Sequence, residues 1–280
     1  MPVVAIFGAG DIGGALASTL ASRDLVREIR VIDDAAGVAA GKALDILQAG
    51  PIEASSTRVI ATADERAAAQ AAVIVLADAV GQPPAEIKGE TGLALIRRLH
   101  ELAPDVPIVC AGPSQAWLIE HAIDELGVSP ARIAGSAPLA LTSAIRALVA
   151  LDASSSPTNV SLLAIGLPPS QVVVPWQSAA VQGLPLDGLL SAAALRRLEQ
   201  QIPYLWPPGP YALASAAARF VEAFAFGARE ILCGFLSPPD ARPAAVRMGP
   251  LRITASQGVS PCPLAGLDSR QRLALDSLQR

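Results

Sequence analysis

The chain has 280 residues, 52% hydrophobic and 16% charged, with a formal net charge of −4. That length supports one large domain or two modest ones, and a charged share well below the usual value of about 25% excludes long disordered stretches. No basic run offers a phosphate-tracking surface, which excludes nucleic acid as the expected partner, and no stretch of 18 residues is apolar throughout, so no membrane span is expected.

The elements follow in chain order. VVAIF, from Val3 to Phe7, reads as a strand. GAGDIGG then makes a glycine turn, Ala15 to Arg23 a helix, and REIRVIDD a short strand ending in two acids. Apolar runs at Ala72 to Leu76, Ile108 to Cys110 and Ile133 to Ala134 recur with helical segments between them. Such alternation predicts an α/β, doubly wound parallel sheet of the Rossmann type over residues 1–136. Beyond Pro138 the texture changes to an Ala/Leu helix from Leu139 to Leu151, a turn cluster at Ser154 to Asn159, and strands SLLAIG and VVVPW. Helices are then expected from Leu189 to Gln200, from Tyr211 to Gly227 and from about Asp268 to Leu278. Residues 137–280 are thus expected to form a second, α+β domain.

Gly8, Gly10 and Gly13 stand as G-x-G-x-x-G straight after a strand and at the mouth of a helix. In that setting Gly8 permits the tight turn, Gly10 lets the backbone approach a pyrophosphate, and Gly13 lets helix and strand pack closely. The helix N-terminus, at Asp11, Ile12 and Gly13, presents free N–H groups to the negative charge. Asp33 ends the next strand, where a carboxylate accepts from both ribose hydroxyls and repels a 2′-phosphate, so NAD is the expected cofactor. Asp34 is the nearest competitor for that role.

Only two histidines are present, His100 and His121, both in helical contexts and both read as surface or packing residues. The three cysteines, Cys110, Cys233 and Cys262, form no C-x-x-C pair, so no zinc knuckle or closed disulfide set is expected, and a reducing compartment fits best. With no charged n-region before the first strand, the expected location is cytoplasmic. Asp45, three residues after Lys42, suits a local ion pair. Arg97 and Arg98 read as a solvated helix face, with Arg98 or Lys88 reaching a ligand anion as the sharper alternative. Cys110 reads as a buried structural thiol.

Taken together, GAGDIGGALASTL, VIDD and GKALDILQAG, then LAPDVPIV, LGVSPARIAGS, LDASSSPTNVSLLAIG, VVVPWQSA and YALASAAARFVEA, make the sequence resemble the lactate/malate dehydrogenase family along most of its length. The resemblance implies a nicotinamide-binding domain followed by a substrate domain, a small-molecule ligand in the cleft between them, and a homodimer or homotetramer. It also implies hydride transfer at a 2-hydroxy acid. There a His in an H-G-D turn exchanges the proton, an Asp orients that His, one Arg clamps the carboxylate and another, on a mobile loop, polarises the carbonyl.

Those chemical positions are replaced. In the family frame G-x-H-G-D-x-x-V-P-x-W, laid on Gly166 to Trp176, the His position holds Pro168, followed by Pro169 and Ser170. The orienting Asp position holds Leu141 and the clamping Arg position Ala144; Arg146, two residues on, lies about 200° further round a helix. The mobile loop reads AVGQPPAEIKG, without arginine, and the Asn of the family's V-x-N-P turn corresponds to Gly112. No catalytic residue is therefore assigned, and a nucleotide-responsive homologue with little or no dehydrogenase turnover is expected. The alternative is a divergent NAD-dependent oxidoreductase on a non-standard hydroxy or keto substrate, drawing its proton from Ser170, Tyr204, Tyr211 or water. Trp176, Gln177, Ser178 and Ser170 would line its pocket, although packing is the plainer role for them.

Overall fold

A computed structural model describes residues 1–227 and 230–263. The first half alternates strands and helices: β1 (Val3–Phe7), α1 (Asp11–Arg23), β2 (Glu28–Ile32), α2 (Ala36–Glu53), β3 (Arg58–Thr62), β4 (Val73–Leu76), β5 (Asp78–Ala79), β6 (Ala85–Glu86), α3 (Gly89–Leu102), β7 (Ile108–Cys110), α4 (Ala116–Leu126) and β8 (Ile133–Gly135). Strands β3-β2-β1-β4-β7-β8 lie side by side in that order, all parallel. Every residue of β1, β4 and β7 is buried, as continuous apolar runs in a sheet covered on both sides should be. The chain builds outward from β1 through β2 and β3, then returns to β4 on the other flank. This reversal between β1 and β4 opens a crevice at the carboxyl ends of the strands.

Helix α1 buries Ile12, Leu16, Ala17, Leu20 and Ala21, a stripe at helical spacing that packs against α2 and α7. It stops at Asp24, a left-handed residue (φ 50°) whose carboxylate accepts from the Ser56 amide at 2.8 Å. That bond, chiefly, holds the Asp24 carboxyl below its ordinary range.

The second half contributes α5 (Ala137–Asp152), β9 (Val160–Ser161), β10 (Ile165–Leu167), β11 (Gln171–Val173), β12 (Ala180–Val181), β13 (Leu184–Pro185), α6 (Ala192–Gln201), α7 (Pro210–Phe226), β14 (Leu232–Leu236), β15 (Arg247–Thr254) and β16 (Gly258–Pro261). Strands β14, β15, β10 and β11 extend the main sheet antiparallel beyond β8, and β16 pairs with β15. The join to the parallel part is one residue pair, Phe235 opposite Gly135, and a side chain on Gly135 would meet the Phe235 ring.

Several expectations are corrected here. The run SLLAIG is two strands: β9 enters a small sheet with β12 and β13, while β10 joins the main sheet. The strand expected over VVVPW ends at Val173, because Pro175 has no amide to donate and Trp176–Ser178 form a 3-10 turn. The helix expected from Leu189 begins at Ala192, where the Ser191 hydroxyl accepts from the Ala194 amide and caps it. The helix expected from Asp268 to Leu278 lies outside the described residues. Within them no helix is long and apolar enough to cross a membrane.

Candidate functional site

The glycine turn sits at the mouth of the crevice. Gly8 has φ +97°, a left-handed conformation that a side chain would strain, and a Cβ on Gly13 would overlap the Gly8 carbonyl oxygen. Helix and turn therefore lie closer together than any other residue allows, and the first amides of α1 point into the crevice.

Those amides have a partner within the chain. Asp78, buried at the carboxyl end of β4, receives the Asp11 amide at 2.8 Å, the Ile12 amide at 3.0 and 3.1 Å, and the Gly13 amide at 2.9 Å on its two carboxylate oxygens. The Asp78 carbonyl accepts from the Gly10 amide at 2.7 Å. A carboxylate on helix N-terminal amides gains from the helix dipole and from charge-assisted hydrogen bonds. Lys42 reaches the same turn, donating to the Ala9 carbonyl at 2.7 Å and the Gly10 carbonyl at 2.9 Å. The ion pair expected between Lys42 and Asp45 is thus not formed: the ammonium finds two preorganised carbonyls instead of one exposed carboxylate.

Asp33 closes the next strand and is also buried. Its Oδ2 accepts from the amides of Ala9 (2.8 Å) and Val80 (2.9 Å), and its Oδ1 from Ala35 (2.9 Å). Asp34 stays exposed beside it. Below the pair runs a groove of about 620 Å³, walled by Ile32, Ala63, Val80, Ile87 and Leu95. At its rim Arg98 clasps Glu65 at 2.6 Å, a bond that holds the Glu65 carboxyl below its usual range. Lys88 faces Glu86 at 3.7 Å. Both cations therefore meet protein carboxylates.

At the far end of the crevice, Gly112 follows β7. Its amide donates to the buried Gln115 side chain at 2.7 Å, and a Cβ there would strike the Glu86 carboxylate, which accepts from the Ser114 amide at 2.7 Å. Asp78, Glu86 and Gln115 escape the motif-based reading. The available signal is position: Asp78 is an acid two residues past the all-apolar β4, which neighbours the glycine turn's own strand.

The positions assigned to dehydrogenation by resemblance lie in the second half. Leu141 is fully buried in α5 and Ala144 half-buried on the same helix. Pro168, Pro169 and Ser170 form the turn between β10 and β11. Arg146 lines a separate groove of about 490 Å³ with Ser143, Tyr211 and Ser215, between α5 and α7. Neither histidine stands with these residues: His100 ends α3, and His121 on α4 stacks on Trp117 with its Nδ1 2.9 Å from the Trp117 carbonyl. Tyr204 and Tyr211 are more than four-fifths exposed, at 88% and 81%. Trp176 is buried and donates to Glu199 at 2.8 Å, and Ser178 donates to the Pro175 carbonyl at 2.9 Å, both as packing residues would. Burial pushes the Cys233 thiol up to about 11 and the Cys110 thiol higher still. Among the described residues no His/Cys/Asp/Glu group is arranged to hold a metal ion.

Comparison with known proteins sets this geometry in a class. Residues 3–101 match the family model of the lactate/malate dehydrogenase NAD-binding domain. A malate dehydrogenase of Thermomicrobium roseum is 28% identical over 245 residues, covering 82% of this chain and 79% of its own. Among solved structures, malate dehydrogenase from Salinibacter ruber superposes with a TM-score of 0.85 at 22% identity, covering 99% of this chain and 94% of the other. A Cryptosporidium parvum lactate dehydrogenase complexed with lactic acid and nicotinamide adenine dinucleotide gives 0.86 at 20% identity, covering 99% and 94%.

The fold is that of the dehydrogenases in which a parallel-sheet nucleotide domain is joined to a substrate domain, and the first hundred residues are an NAD-binding domain. The chain is thus similar to lactate/malate dehydrogenases, by the family model over residues 3–101 and by fold over nearly its whole length.

The residues fit NAD in kind. A side-chain-free glycine turn, helix amides aimed into the crevice and an acid at the end of β2 are the donor and acceptor set a dinucleotide requires. Gly8, Gly10 and the amides of Asp11, Ile12 and Gly13 would hold the pyrophosphate, Asp33 the ribose, and the backbone at Gly112, where Glu86 now packs, the nicotinamide end.

Proposed function

We propose that this protein binds NAD(H) through those residues and has little or no 2-hydroxy acid dehydrogenase turnover, serving as a nucleotide-responsive homologue of the active enzymes. The division into residues 1–136 and 137–280 belongs to the same proposal. NAD supplies hydride exchange when bound; what the chain itself must supply is a proton and a hold on the substrate carboxylate.

The observation that carries the proposal is the chemistry of Leu141, Ala144 and Pro168. Leu141 is hydrocarbon with no exposed surface, Ala144 ends at a methyl, and Pro168 has no titrating proton. A missing general acid/base alone costs about 10² to 10⁴ in rate, and a missing guanidinium clamp removes transition-state binding in addition. The exposed phenols of Tyr204 and Tyr211 stand in water, where they offer no advantage over solvent as proton donors.

With NADH and either oxaloacetate or pyruvate, purified protein is therefore expected to oxidise cofactor well below the common kcat range of about 1 to 10³ s⁻¹. Spectrophotometric loss of NADH checks this; a kcat inside that range overturns the proposal.

The oligomeric expectation is supported by α2, whose outer face exposes Val38 (47%), Leu44 (55%), Leu47 (39%) and Ile52 (85%). Exposed apolar side chains spread round the outer half of a helix in this way favour an interface. We propose a homodimer across it. Light scattering on the eluting protein is expected to give twice the chain mass, and Leu44→Glu with Leu47→Glu the single mass.

A further inference from the structure

The segment between β4 and α3 is folded into the cofactor crevice. β5 and β6 pair antiparallel, Asp78 with Glu86 and Ala79 with Ala85, forming a short hairpin. It is fastened at three points. At one end the Asp78 carboxylate takes the amides of Asp11, Ile12 and Gly13. In the middle the Val80 amide donates to Asp33. At the other end Glu86 accepts from the Ser114 amide beside Gly112. These are the very groups that a dinucleotide would use for its pyrophosphate, its ribose and its nicotinamide end.

The first fastening matters most. A carboxylate is planar, singly charged and bidentate toward adjacent N–H groups, so on helix N-terminal amides it does what a phosphate oxygen pair does. Two anions cannot share those amides, and Lys42, whose ammonium sits on the same turn, is already committed to the Ala9 and Gly10 carbonyls. The groove beyond Asp33 is not blocked in the same way: its apolar walls at Ile32, Ala63 and Leu95 remain open to a flat ring.

We infer that Asp78 is the affinity- and specificity-determining residue of the cofactor site: its carboxylate stands in for the pyrophosphate, so a dinucleotide engages α1 only when Asp78 withdraws. This rests on the NAD-binding reading above. It follows that ligands carrying a diphosphate compete with Asp78, whereas an adenosine without phosphate does not.

Titration calorimetry on the full chain and on Asp78→Ala and Asp78→Asn, with NADH, ADP-ribose and adenosine as ligands, tests this. The expected result is a Kd for NADH and for ADP-ribose at least tenfold lower in Asp78→Ala than in the unaltered protein, with a smaller gain in Asp78→Asn. Adenosine affinity should change by less than twofold. Circular dichroism confirms that each variant is folded, and Asp78→Asn keeps the side-chain shape should Asp78→Ala fail to fold. If NADH and ADP-ribose bind the folded variants no tighter than the unaltered protein, Asp78 is not the competitor and the inference fails while NAD binding stands. If none of the three ligands binds any folded variant, the NAD-binding reading itself falls.

Discussion

Asp78→Ala is expected to lower the stability of the ligand-free protein by about 2–4 kcal/mol, because it leaves amides at the start of α1 without an acceptor, at about 1–3 kcal/mol for each one that stays buried. Two of the three donors, Ile12 and Gly13, are buried, so water cannot replace the carboxylate freely. A loss of that size leaves a protein with an ordinary 5–15 kcal/mol of stability folded. Urea unfolding should show a lower midpoint at unchanged slope. Inorganic pyrophosphate should restore most of the loss, since an anion at about 100 times its Kd returns about 2.7 kcal/mol. In the unaltered protein the same addition should do much less, because the acceptor is already present. An unchanged midpoint in Asp78→Ala would mean that the carboxylate contributes nothing to holding α1.

Gly13→Val is expected to be worse tolerated than any surface change in the chain. Its Cβ would overlap the Gly8 carbonyl oxygen, and that oxygen is main chain on a turn fixed by the Gly8 amide donating to Ile32 at 2.8 Å. Relief requires α1 to move off the sheet, with Ile12, Leu16 and Leu20 losing their packing; a loss of about 3 kcal/mol or more follows from the strain and exposure involved. Gly41→Ala on α2 is the matched contrast. A Cβ there meets nothing within 4 Å in its own chain and the site is helical, so with both variants made in the Leu44→Glu/Leu47→Glu monomer Ala should raise stability by about 0.5–1 kcal/mol. Thermal melts of the two variants, run together, should move in opposite directions; a Gly13→Val melt no lower than that of Gly41→Ala would remove the argument from close approach.

Both predictions lie where motif and topology meet, and they show what the linear chain reveals. The strand, glycine turn, helix and acid from Val3 to Asp33 are contiguous, and local rules about tight turns and helix mouths suffice to place them. The proposed substitution of the family's chemical positions by Leu141, Ala144 and Pro168 rests on the same kind of local reading, since each lies in a short frame whose spacing is rigid. Asp78 is not contiguous with the amides it serves. It reaches them because β1 and β4 are neighbours in the sheet, a pairing between residues some seventy positions apart that no local pattern encodes. Lys42 is a second case: helix spacing suggests Asp45 as its neighbour, while the fold supplies the Ala9 and Gly10 carbonyls. The antiparallel strands β14, β15 and β16 carry no local signature for another reason. LCGFL is buried on both faces and shows no alternation, and the Pro-rich stretch after it resembles a loop up to Arg247.

The sheet that runs without interruption from β11 to β3 has a mechanical consequence. Strands from both halves share one hydrogen-bonded plank, and at its seam the Phe235 ring lies against the bare backbone of Gly135 with no room for slip. Because that seam is a single residue pair, continuity of the sheet across it depends on the missing side chain at residue 135. A Cβ there would press on the Phe235 ring and part the plank at one point, while the strands to either side kept their own partners. The halves are therefore joined as by one stitch, and a change of one methyl group decides whether the two edges meet.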